Sequence, residues 1–75
     1  MTLDKHQIDG IGGFSSKILP ANQFEELMIS NGYSLIGSAP AKGNRVKVWW
    51  THGVFGNVES IYSEDKSTVI TAYHA

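Results

Sequence analysis

The chain contains no cysteine, so neither a disulfide nor a thiolate metal site supports its core. This absence is compatible with a reducing compartment. No apolar run approaches the roughly 20 residues that a membrane-spanning helix needs. The N-terminus also lacks the basic and then apolar pattern of a signal peptide. We therefore expect a protein with no membrane contact in its mature form.

A length of 75 residues is enough for one domain with one modest core. Hydrophobic residues make up 41% of the chain and charged residues 17%, which is typical of a globular protein. We expect a single domain over residues 1–75. An excised C-terminal domain of a longer protein is the alternative, because the first predicted helix begins almost at Met1.

Two helices are predicted in the N-terminal half. Thr2 suits the cap of a short helix that ends near Ile8, where the glycine cluster at 10–13 predicts a turn. This cluster lacks the spacing of a nucleotide-binding loop. A second helix is predicted from Pro20 to the stop at Gly32. Its apolar stripe, at helical spacing, comprises Ala21, Phe24, Leu27 and Met28.

After the second helix the apolar residues recur with period two, which predicts strands. Four strands are predicted, over residues 33–37, 45–51, 58–63 and 68–74. Their short connections favour antiparallel neighbours. The predicted fold is α+β, with the N-terminal helices packed on a four-stranded antiparallel sheet.

Alternation divides the side chains of these strands between two faces. The predicted core set is Val46, Val48, Trp50, Ile70 and Ala72. The remaining residues of the same two strands include Arg45, Lys47, Trp49, Thr51, Val69, Thr71 and Tyr73. If the two strands are close together, this second set places cations, aromatic rings and hydroxyls on one exposed surface.

The formal net charge of −1 hides an uneven distribution. The stretch 42–52 carries Lys42, Arg45 and Lys47 and no acidic residue. The acids lie elsewhere in the sequence, at Asp4, Asp9, Glu25, Glu26, Glu59, Glu64 and Asp65. A local basic strand is suited to a phosphate backbone. The alternative is an ordinary solvated strand face.

RNA cleavage without a metal needs groups that this second face contains. Lysine, threonine and tyrosine donors stabilise charge on the phosphate oxygens. Trp49 is suited to stack on an unpaired base. Histidine transfers protons to and from the reacting oxygens. His6 is the candidate, with an ordinary surface role as the alternative. His52 either binds substrate or begins a turn. His74 is expected to be structural or frayed at the terminus.

No metal ion or other cofactor is expected. The three histidines lack the spacing of a zinc site, and no pair of carboxylates lies at ligand distance on a helix. The chain also contains no nucleophile motif of a serine or cysteine hydrolase.

Residues 43–50, Gly-Asn-Arg-Val-Lys-Val-Trp-Trp, and residues 68–74, Thr-Val-Ile-Thr-Ala-Tyr-His, carry a resemblance. This half of the chain resembles ribonuclease toxins of the barnase/EndoU/colicin/RelE-like superfamily, in particular the C-terminal toxin domains of contact-dependent growth inhibition. The resemblance implies a helix-backed antiparallel sheet. It also implies that Lys47, Thr71 and Tyr73 are catalytic, with His6 as the general acid/base. EndoU-like members use two histidines in the N-terminal half, where this chain has one.

The resemblance implies a metal-independent ribonuclease that cuts tRNA and leaves a 2′,3′-cyclic phosphate. Its site would combine catalytic His6, Lys47, Thr71 and Tyr73 with substrate-binding Lys42, Arg45, Trp49 and His52. Such a toxin is secreted or delivered from a cell surface, acts in the cytoplasm of the target cell and is inhibited by a cognate immunity protein. The alternative is a non-enzymatic module that binds RNA or protein, such as an antitoxin or a phage-encoded inhibitor.

Overall fold

The computed structural model describes residues 3, 6–14 and 16–75. The elements are β1 (Gln7–Ile8), β2 (Gly12–Gly13), β3 (Leu19–Pro20), α1 (Ala21–Ser30), β4 (Ser34–Pro40), β5 (Val46–His52), β6 (Gly56–Tyr62) and β7 (Thr68–His74). A 3-10 turn at Lys42–Asn44 joins β4 to β5. Five strands form an antiparallel sheet in the order β3-β7-β6-β5-β4, and β1 pairs with β2 in a separate antiparallel ladder.

The prediction of N-terminal helices on a four-stranded sheet is wrong, although the chain is α+β. The described residues form one α-helix, and Gln7–Ile8, predicted to end a helix, is a strand. Ile8 is fully buried while Gln7 is exposed, which is strand alternation. Thr2, the predicted helix cap, lies outside the described residues. The fifth strand, Leu19–Pro20, pairs with β7 at the edge of the sheet, where proline is tolerated because only one side of an edge strand makes ladder hydrogen bonds.

Helix α1 ends as its sequence predicts. Gly32 has φ +91°, a left-handed conformation that glycine adopts without a steric penalty. The N–H of Tyr33 donates to the carbonyl of Met28 at 3.0 Å, and that of Gly32 donates to the carbonyl of Ile29 at 3.1 Å. These two bonds form a Schellman motif, and the side chains of Tyr33 and Met28 at its two ends are both buried.

One face of the sheet packs against α1 to form the core. Phe24 of the helix meets Trp50 and Tyr62 edge to face, with ring centroids 6.2 and 6.4 Å apart. The indole N–H of Trp50 donates to the hydroxyl of Ser60 at 3.2 Å, and that hydroxyl donates to the carbonyl of Val48 at 2.9 Å. The polar atoms of this core are therefore paired, as burial requires.

The predicted faces are right for β5 and wrong for part of β7. Val48 and Trp50 are buried on the helix side, and Ala72 joins them. Val69, however, is fully buried, whereas Ile70, predicted to lie in the core, is only partly buried. Residue 70 lies in a bulge, because Ile61 pairs with Thr71 and the next residue of β6 pairs with Val69. A bulge inserts one unpaired residue and so reverses the alternation before it.

A pair of glycine substitutions tests the packing of His52 against the C-terminal end of α1. A Cβ at Gly32 would lie 2.9 Å from Nε2 of His52, whereas a Cβ at Gly43, whose φ is +74°, would meet nothing within 4 Å. Gly43→Ala should therefore cost only the left-handed strain of about 1–2 kcal/mol. Gly32→Ala should lower the free energy of unfolding by more, as measured by urea denaturation. Equal losses in the two variants would contradict this packing.

Candidate nucleic-acid interface

The face of the sheet opposite α1, here called the open face, carries two rows of side chains across three strands. The register pairs Lys47 of β5 with Ile61 of β6, and Ile61 with Thr71 of β7. The second row comprises Trp49, Glu59 and Tyr73. Directly paired side chains on one face are close enough to interact. Lys47, Trp49, Thr71 and Tyr73 therefore share one surface as predicted, whereas Val69, predicted to lie on the same face, is buried in the core.

Glu59 lies at the centre of the open face and binds three of its neighbours. Its Oε1 accepts a hydrogen bond from Nε1 of Trp49 at 2.9 Å and lies 3.6 Å from Nζ of Lys47. Its Oε2 accepts a hydrogen bond from the hydroxyl of Tyr73. The side chain of Glu59 is 17% exposed, and that of Lys47 is 34% exposed. One carboxylate thus orients side chains from both adjacent strands.

This network shifts the pKa values of Glu59 and Tyr73. The hydrogen bond from Tyr73 lowers the pKa of Glu59 below its usual 4.5, and Trp49 and Lys47 lower it further, whereas desolvation opposes them. The same hydrogen bond, followed by desolvation, raises the pKa of Tyr73. At neutral pH Glu59 is therefore ionised and Tyr73 protonated. Because Tyr73 has a single O–H, it must exchange partners before it can donate to a phosphate.

Five of the predicted site residues line one cleft of about 270 Å³ at the Lys47 end of the open face, here called the basic cleft. Its lining comprises Ala41, Lys42, Arg45, Lys47, Ile61, Thr71 and Tyr73. The 3-10 turn between β4 and β5 supplies Lys42, and a hydrogen bond of 2.8 Å from the N–H of Ala41 to the carbonyl of Arg45 closes this loop. Thr71 is only 5% exposed, whereas Arg45 is exposed. The cleft thus combines three cations with a floor that contains a hydroxyl.

His6 lies beside the basic cleft rather than in it. Its ring packs against that of Tyr73, with centroids 5.6 Å apart and planes tilted by 57°. Tyr73 lines both the basic cleft and a hollow of about 390 Å³ shared with His6, Gln7 and His74. His6 and the three cations therefore approach Tyr73 from two adjoining cavities.

His52, predicted either to bind substrate or to begin a turn, lies apart from the open face at the end of β5. Its ring packs between Tyr33 and Phe55, with centroids 4.9 and 4.5 Å away. Its Nδ1 accepts the N–H of Val54 at 2.9 Å, and its Nε2 is 3.1 Å from the carbonyl of Asn31. The two ring nitrogens therefore contact backbone groups at the end of α1 and in the turn after β5.

His74 is structural, as its position in β7 predicts. Its Nε2 accepts the N–H of Asp9 at 3.0 Å, and its Nδ1 lies 3.3 Å from the carbonyl of Asn57. It thus ties the β1–β2 ladder to the sheet. His6 is the histidine of the chain that lies next to the basic cleft.

Two open-face residues differ from expectation. Trp49 lies beside the basic cleft without lining it, and its indole N–H is donated to Glu59. Glu59 is one of the acids outside the basic stretch of the sequence, yet the fold places it opposite Trp49. Alternation in β6 contains a signal for it, because Val58 and Ser60 face the core and so direct Glu59 to the other side.

No protein-family model, curated protein or solved structure matches this chain. Within the described residues, no helix has the length and apolar character needed to cross a membrane.

The pH dependence of stability tests the Glu59 network. The folded-state pKa of Glu59 is lowered, so its stabilising contribution is present above the unfolded value near 4.5 and is lost as the pH falls through the folded value. Wild type should therefore be more stable than Glu59→Gln at neutral pH, and the gap should close in acid. Thermal melts from pH 7 to pH 2 measure it. Glu26→Gln, on the exposed face of α1, is the control and should show no such gap; a constant gap for Glu59→Gln would contradict the network.

Proposed function

We propose that this protein is a metal-independent endoribonuclease that cleaves RNA, with tRNA as its substrate, through attack of the 2′-OH on the adjacent phosphate. One observation carries the proposal. Lys42, Arg45 and Lys47 converge on a single cleft, and Tyr73 at its border contacts the ring of His6. Cations fixed around a phosphate site and a histidine beside it are the groups that this reaction requires.

In the proposed reaction a base removes the proton of the 2′-OH, and the 2′-oxygen attacks phosphorus. The bond from phosphorus to the 5′-oxygen breaks, and that oxygen receives a proton. The products are a 2′,3′-cyclic phosphate and a free 5′-OH. The imidazole of His6 performs one of the two proton transfers. The other transfer uses the adjacent Tyr73–Glu59 pair, which offers a hydroxyl and a carboxylate.

The role of the cleft is to stabilise the charge that develops on the phosphate oxygens. Lys47 directs one contact toward Glu59, and an ammonium group has three N–H donors, so donors remain for phosphate. Lys42 and Arg45 border the same space. The hydroxyl of Thr71 lies in the floor, where burial restricts its movement. Donors that are fixed before charge develops contribute most to the rate.

The proposal includes a biological setting, supported by the resemblance of residues 43–50 and 68–74 to toxins of contact-dependent growth inhibition. In that setting the protein acts in the cytoplasm of a target cell, and a cognate immunity protein inhibits it. The basic cleft is the surface that such an inhibitor must cover to prevent RNA from binding.

A second candidate function is an RNA-binding module without turnover. The bond between Tyr73 and Glu59 favours it, because that bond occupies the only proton of Tyr73. Lys47 is also partly neutralised by the same carboxylate. In this alternative the basic cleft holds a phosphate, and no group transfers the proton of the 2′-OH.

Cleavage of tRNA in EDTA tests the reaction. Wild type should produce fragments with 2′,3′-cyclic phosphate ends. Lys47→Met, which keeps the apolar stem but removes the charge, should slow cleavage by about 10²–10³. His6→Ala should slow it by about 10²–10⁴. Lys17→Met, which removes a cation that does not line the basic cleft, is the matched control and should cut like wild type.

Each alternative has its own outcome in this assay. Full cleavage by His6→Ala removes His6 from the mechanism. Wild-type protein that binds tRNA without cutting it identifies the binding module, provided that Lys47→Met weakens that binding. Absence of both binding and cleavage contradicts each function.

A further inference from the structure

A second cleft, larger than the basic cleft, lies at the end of the sheet. Its volume is about 500 Å³, and it lies between the β4–β5 loop and the turn that joins β6 to β7. Arg45 lines both clefts, so the two are neighbours on either side of its side chain. Lys66 supplies the other positive charge of the second cleft, Glu64 supplies a negative one, and Asn44 adds an amide.

Lys66 has an unusual backbone conformation. Its φ is +63°, in the left-handed region that glycine or asparagine adopts at lower cost. The turn does not depend on its side chain: the N–H of Lys66 donates to the carbonyl of Ser63 at 2.9 Å, and that of Ser63 donates to the carbonyl of Thr68 at 2.8 Å.

Asp65 also supports this turn, because its Oδ1 accepts hydrogen bonds from the hydroxyls of Ser63 and Ser67, each at 2.7 Å. These bonds lower the pKa of Asp65 to about 2. A well-bonded turn therefore presents an exposed lysine where glycine would suit the backbone better. A residue kept in a costly conformation points to a use for its side chain.

We infer that the second cleft binds a nucleotide next to the one that is cut, so that single-stranded RNA runs from Lys47 past Arg45 to Lys66. This inference rests on the proposed function, because it extends the same substrate beyond the basic cleft. Positive side chains that follow one path are how proteins track a nucleic-acid backbone. The path leaves the open face and turns around the end of the sheet. A flexible single strand can follow this turn, whereas a duplex is stiff over such lengths.

Binding of non-cleavable RNA tests this path separately from the reaction. The probes are a dinucleotide and a hexanucleotide with 2′-O-methyl groups, which lack the attacking hydroxyl, measured by fluorescence anisotropy over a range of salt concentrations. Wild type should bind the hexanucleotide more tightly. Lys66→Gly should weaken the hexanucleotide several-fold and flatten its log-log salt slope by about 0.7, the value for one phosphate contact on a single strand. Its affinity for the dinucleotide should not change.

Two controls separate this effect from a change in folding. Lys66→Gly relieves the left-handed strain, so its thermal midpoint should equal or exceed that of wild type. Glu64→Gln removes the negative charge from the same cleft and should strengthen hexanucleotide binding without affecting the dinucleotide.

Three results would overturn the proposed path. The first is an unchanged hexanucleotide affinity in Lys66→Gly, and the second is an equal loss of affinity for both probes in that variant. The third is an equal affinity of wild type for the dinucleotide and the hexanucleotide. Each leaves cleavage at the basic cleft intact. Conversely, failure of wild type to cut tRNA overturns the reaction. It does not affect the conclusion that Lys66 contacts the longer RNA.

Discussion

The carboxylate of Glu59 is the interaction on which the open face depends. It lies on β6, with β5 on one side and β7 on the other, so a single side chain reaches Trp49, Lys47 and Tyr73. Desolvation of a charge is unfavourable unless hydrogen bonds and opposite charge replace the lost water. Here two hydrogen bonds and one cation do so. The same contacts restrict the rotamers of the three partners, so that they present one defined surface.

The second constraint is the separation of the two faces. Helix α1 packs on the side that carries Trp50, Val58 and Ala72, whereas the side chains of the open face are partly exposed, apart from the buried Thr71. The bulge at Ile70 maintains this division along β7, because it places Val69 in the core while Thr71 and Tyr73 stay on the open face. The bulge therefore moves Val69 into the core without changing the side on which the two hydroxyls lie.

The parts of the fold that depend on local pattern could be predicted from the sequence. These are helix α1 with its glycine stop, the division of β5 into two faces and the turn before β7. The basic cleft follows from the same alternation, since Arg45, Lys47 and Thr71 lie on the face predicted for them.

The remaining features depend on contacts between distant residues. The strand Leu19–Pro20 is two residues long and exists because it pairs with β7, about 50 residues away in sequence. Ile8 lies in a strand because it is buried against the core, although the preceding residues suit a helix. The bulge at Ile70 has no marker such as glycine. Glu59 is ten residues from Trp49 in sequence, and only the register of the β5–β6 hairpin brings the two opposite each other.

The central claim is that the open face, rather than the helix side, binds RNA. Trp49 and Trp50 are adjacent in sequence, yet their indole N–H groups point to Glu59 on the open face and to Ser60 in the core. Titration with a 2′-O-methyl RNA, followed by the two indole signals in a ¹⁵N–¹H NMR spectrum, therefore compares both faces in one sample. The signal of Trp49 should shift with added RNA while that of Trp50 stays in place. A shift of Trp50 alone, or no shift of either signal at saturating RNA, would contradict this account.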